Sequence, residues 1–128
     1  MTKRFLLAIS IAMASLGAQA DENYDHFAAL ESPDVATAFC NLQAFNTLLN
    51  SILDKPSLSA EDMVKVHELT YTLENALAKL TESLEASAVS LEEVHLASER
   101  LDEETIKAQG QTYKQLVDSL MAPRHCTG

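Results

Sequence analysis

"SAEDMVKVHELTYTLENALAKLTESLEASAVSLEEVHLASERL", residues 59–101, contains neither glycine nor proline, and the way it divides decides the fold. Ser59 suits a helix N-cap, with Asp62 three residues on as an acidic variant of the capping box. A seven-residue repeat then runs through Met63, Val66, Thr70, Leu73, Leu77, Leu80, Leu84, Ser87, Leu91, Val94, Ser98 and Leu101. Nine of those twelve positions are apolar, the pattern of a packed seam. As a single helix the stretch would be about 60 Å long at 1.5 Å per residue, excessive for so short a chain. A reversal inside it is therefore expected. "TES" at 81–83 gives helices of nearly equal length, as bundles with short connections prefer. Ser90 with Glu93 offers a capping box and a later turn near 87–89. We expect the even division: an all-α antiparallel bundle of four helices, about 33–53, 59–81, 83–101 and 103–121. Three helices with a long central one is the alternative.

On the N-terminal side, "ESPDVATAF" opens the first helix. Ser32 suits the N-cap, Pro33 the first helical position, and Asp34 the positive end of the helix dipole. Val35, Phe39, Leu42, Phe45, Leu49 and Ile52 recur at steps of three and four, and Pro56 stops the run. On the C-terminal side the phase slips at "RLDEETIKAQG", where Asp102 caps a helix anchored by Ile106, Tyr113, Leu116, Val117 and Leu120. Residues 32–128 read as one helical domain, preceded by a loosely held polar segment at 21–31.

The first twenty residues read as an export signal. Lys3 and Arg4 precede the apolar run "FLLAISIAMASLG", and "AQA" at 18–20 supplies the small residues of a cleavage site after Ala20. A periplasmic or secreted, soluble product follows, with no stable membrane insertion after cleavage. The whole chain carries a net charge of −10, and all nineteen acidic residues lie beyond Ala20. A field of that sign repels phosphate backbones, which excludes nucleic acid and favours a cationic protein or a partner helix. Cys40 and Cys126 are expected to form a disulfide, as an isolated pair does in an oxidising compartment. In a four-helix bundle they lie at the same end; in a three-helix one the bridge is harder to close.

Val66-His67 is answered by Val94-His95, both histidines lying one residue past the seam. With a turn near Ser83, His67 comes level with about position 97, within a turn of His95. A turn near 88 keeps the rings apart. Around the first arrangement gather Glu92, at Glu-x-x-His spacing from His95, and Glu99; imidazole with carboxylate suits a transition metal. Both rings equally suit half-buried flank positions, and that is the primary reading. Haem between a histidine and Met63 or Met121 is a further alternative to no cofactor. The paired acids at 61–62, 92–93 and 103–104 stand near helix starts, where the dipole favours them, and no serine has a nucleophile's setting.

At "VHELTYTLENALAKL" (66–80) and "LEEVHLASER" (91–100) the chain resembles an uncharacterised family of small exported proteobacterial helical proteins, over about residues 21–121. The resemblance implies a signal peptide and a helical fold, with no activity or site attached. A looser architectural similarity links it to soluble b-type cytochrome four-helix bundles. The sequence thus predicts a non-enzymatic binding or interaction module, with a metal- or haem-binding bundle using His67 and His95 as the alternative.

Overall fold

The computed structural model describes residues 28–126, whose regular structure is all α-helix with no strand among them. Among the described residues there are three helices: α1 (Val35–Leu53), α2 (Ala60–Glu99) and α3 (Glu103–Met121). The four-helix expectation is thereby corrected to its three-helix alternative. Neither candidate turn forms. Ser83 Oγ donates to the carbonyl of Lys79 at 3.0 Å, and Ser87 Oγ to that of Ser83 at 2.7 Å. Those hydroxyls bond back into the helix instead of capping a new one, and no residue nearby forces a break.

A 40-residue helix is accommodated because α1 and α3, 19 residues each, lie along it one after the other. At 1.5 Å per residue each short helix spans about 28 Å, so two of them match the roughly 60 Å of α2. Their chain reversals sit at opposite ends. Residues 54–59 turn α1 into α2, where Ser59 and Asp62 form the expected capping box. At the far end Leu101 N–H donates to Ser98 O and Asp102 N–H to Ala97 O, closing α2 in a Schellman motif. Leu101 takes the left-handed position, φ 57, that glycine usually fills. Asp102 then caps α3 as anticipated, accepting from Thr105 N at 3.1 Å and Thr105 Oγ1 at 2.7 Å.

The start of α1 and the end of α3 consequently meet over the middle of α2. The main core is there: Val35, Ala38, Ala76 and Leu80 are buried, with Phe39, Leu42 and Leu120 packed against them. Cys40 and Cys126 join at the same place, S–S 2.01 Å and Cα–Cα 5.2 Å. The expected pairing holds, but the expected obstacle in a three-helix fold does not. Because α1 runs outward from the middle of α2 and α3 runs back to it from the far end, the start of one and the end of the other converge without a fourth helix. Arg124 completes the junction, its guanidinium 3.6 Å from the Phe39 ring centroid and bonded to the carbonyls of Ser119 and Leu120.

Two local expectations are also revised. The N-cap of α1 is Asp34, which accepts from Thr37 N at 2.8 Å, whereas Ser32 is buried and accepts from Asn41. Residues 28–31 are docked, not loose: Leu30 N–H donates to the fully buried Thr72 hydroxyl at 3.0 Å, and Asn75 donates to Leu30 O. The expected signal peptide and residues 21–27 lie outside the described residues.

The buried edge of α2 is not the predicted seam. Leu73, Leu80 and Ser87 are buried as expected, but the alternating partners are Ala76, Ser83, Ser90 and Ala97 instead of Leu77, Leu84, Leu91 and Ser98. The seam is shifted by one residue at every second position. Small side chains let the short helices approach closely. Leu77, Leu84 and Leu91 are left in solvent at 52, 58 and 47 % exposure.

Candidate functional site

His67 and His95 sit on one continuous helix, 28 residues and therefore about 42 Å apart along its axis. No single ion spans that distance, so the shared-ligand arrangement, which required a turn near Ser83, is corrected. Each ring instead has a neighbour one turn away. Tyr71 Oη lies 3.1 Å from His67 Nε2, the two rings meeting edge to face with centroids 4.9 Å apart. His95 Nε2 lies 3.5 Å from Glu99 Oε1, both side chains exposed. Glu92 is exposed and makes no ion pair among the described residues. Among those residues no group of three or more His, Cys, Asp or Glu side chains converges as a metal site. Met63 and Met121, the sulfur donors considered for haem, are 59 and 77 % exposed, and the three-helix plan departs from the cytochrome bundles.

Two open clefts flank α1. One, of about 320 Å³, lies between the end of α1 and the start of α2 and includes Leu48, Ile52, Lys55, Asp62 and Leu69. Asp62 is its one strongly perturbed acid. Lys55 Nζ donates to it at 2.6 Å, and the backbone N–H and hydroxyl of Ser59 donate at 3.0 and 2.9 Å. These donors, Lys55 foremost, hold the carboxyl at a pKa of about 2. Oδ2 closes the helix cap and Oδ1 the ion pair with Lys55, so the group is structural. The other cleft, of about 440 Å³, borders the Cys40–Cys126 bridge. Neither is lined by His67 or His95.

The surface that stands out is the uncovered side of α2. Leu77, Thr81, Leu84, Ala88, Leu91 and His95 are all exposed and follow one another at alternating steps of four and three. That is a second seam, with no helix against it. About 60–80° further round the helix, at about 100° per residue, stand Glu74, Glu85 and Glu92. All three are exposed and outside any ion pair among the described residues. Lys79, the one basic residue between positions 74 and 95, is paired with Glu82 at 2.7 Å.

The seven-residue repeat predicts these leucines in the core, and the structure leaves them exposed. The discriminating signal was the run of small residues at 76, 83, 90 and 97, which keeps strict seven-residue spacing and admits neighbouring backbones closely. Among the described residues no helix is long and apolar enough to cross a membrane, so the exposed stripe is not a spanning segment.

The chain matches no curated protein and no solved structure. A family match, by contrast, runs from residue 1 to residue 122, through all three helices and stopping short of Cys126; the chain belongs to DUF6746, a family of unknown function.

Proposed function

We propose that this chain is an exported, periplasmic binding module without catalytic activity, whose acidic surface captures a cationic partner. The excess of carboxylates carries the reading: nineteen acidic against nine basic residues, with Glu74, Glu85, Glu92 and Glu93 exposed along the central helix. A surface of that charge accelerates and selects the approach of cations while repelling nucleic acid and anionic lipid. The Cys40–Cys126 pair suits an oxidising compartment, in keeping with the leader-like residues 1–20.

The test uses protein exported natively and recovered from the periplasmic fraction. Intact mass should give a chain beginning at Asp21 and lacking two hydrogens, protected from alkylation before reduction. Immobilised, it should retain a basic protein at about 50 mM salt and release it at about 500 mM, where screening is strong. Free thiols on both cysteines would remove the compartment, and retention insensitive to salt would remove the electrostatic reading.

A further inference from the structure

We propose that the uncovered face of α2 between Glu74 and His95 is the docking site for one amphipathic cationic helix. Leu77, Leu84 and Leu91 would receive its apolar stripe, and Glu74, Glu85 and Glu92 its lysines or arginines. This names the kind of partner for the binding module above and rests on that reading.

Both halves of the recognition are already in place. The leucines repeat every seven residues, so a facing helix with the same repeat meets all three by winding slightly around α2. From Glu74 to His95 the face is about 32 Å long at 1.5 Å per residue, enough for a six-turn partner. Thr81 and Ala88 between the leucines are small enough to form the holes into which its side chains fit. The glutamates form a row on one edge, unpaired with any cation of this chain among the described residues. A partner is therefore read twice, by an apolar stripe and by positive charge on one flank.

The charge row also decides against a second copy of this chain. Two-fold antiparallel pairing over the leucines puts both glutamate rows on the same side, six carboxylates together with no basic residue near them. Parallel pairing separates the rows but still brings together two chains of net charge −10. Like charges along a shared edge oppose such an interface, whereas lysines at those positions relieve it.

The probe is a synthetic three-heptad helix with leucine at the seam positions and lysine along one flank. A scrambled peptide of identical composition keeps the charge and loses the stripe. Against the full chain with its disulfide intact, the ordered peptide should bind at least about tenfold more tightly than the scrambled one. Leu77→Ser/Leu84→Ser/Leu91→Ser should abolish that preference while leaving helicity and melting temperature unchanged. Glu74→Lys/Glu85→Lys/Glu92→Lys should weaken the ordered peptide and flatten its salt dependence. Should the triple leucine variant lose helicity, Ala88→Arg carries the test, placing a cation amid the stripe at an exposed position. Leu48→Ser, half exposed on α1, should leave binding intact. Equal affinity for both peptides would overturn the docking face while leaving the acidic capture reading standing. Failure of both to bind would overturn the two together. A wild-type dimer dispersed by Leu84→Ser would assign the stripe to a second copy and sink the proposal.

Discussion

Leu101 holds the left-handed backbone at the exit of α2, φ 57, with its side chain 89 % exposed. A Cβ in that region crowds the following carbonyl, at a cost of about 1–2 kcal/mol, and an exposed leucine gains nothing from packing in return. Leu101→Gly removes the crowding but adds freedom to the unfolded chain, leaving a net stabilisation of about 0.5 kcal/mol. Chemical denaturation should show a higher midpoint at unchanged slope; a lower midpoint would mean that the leucine has a partner in solution. At the other end of α2, Asp62 makes stability depend on acidity. Its pKa is lowered from 3.8 to about 2 by Lys55 and Ser59, so the folded state favours the carboxylate. The contribution is fully present above the unfolded value and disappears as pH falls from 3.8 to about 2. Melting temperatures followed down through that window should fall less steeply in Asp62→Asn than in the wild type, the variant being less stable at neutral pH.

The continuity of α2 belongs to the scale of the element and has its own test. Glu82 is exposed and lies within the stretch where a four-helix chain would reverse. Proline in such a turn is tolerated, whereas inside a continuous helix it deletes a hydrogen bond and clashes with the preceding turn, about 3 kcal/mol or more. Glu82→Pro should therefore lower stability by about that amount, and a neutral result would restore the reversal. The caps of α2 and α3 were legible from the residues themselves, because Ser59 with Asp62 and Asp102 with Thr105 act within four positions of one another, whereas at α1 the cap is Asp34 and the expected Ser32 turns inward to Asn41. Seam phase was not. Leu84 and Ser83 are adjacent, and hydrophobicity favours leucine for the inside; the serine is buried because a close-packed neighbour leaves no room for more. Which side a helix presents depends on the partner's backbone, and the short helices that approach α2 are far away in sequence. The histidine site failed for the same reason, since its geometry was borrowed from a turn that never forms.

Across the whole molecule, two antiparallel pairs share α2 and are joined only at its middle. Seven apolar side chains among the described residues are buried, and the four of the main cluster flank the junction, Val35 and Ala38 within five residues of Cys40 and Ala76 and Leu80 on the facing turns of α2. Such a core leaves little margin, which makes the covalent closure matter. The Cys40–Cys126 bridge spans 86 positions. Confining the unfolded chain over a loop of that length contributes about 4.5 kcal/mol in the chain-entropy model, an upper figure if the native state is strained. Cys40→Ser/Cys126→Ser should lose a large part of it. The loss should also be uneven. The bridge and the Arg124–Phe39 contact hold the converging ends, whereas the hairpins around residues 54–59 and 100–102 are closed by their own short loops and caps. Hydrogen exchange in the double variant should therefore rise first over 35–42 and 116–121, with residues near 60–66 and 97–107 keeping more of their protection. Uniform acceleration along all three helices would mean instead that the molecule opens as one unit, and that the disulfide acts only through the unfolded chain.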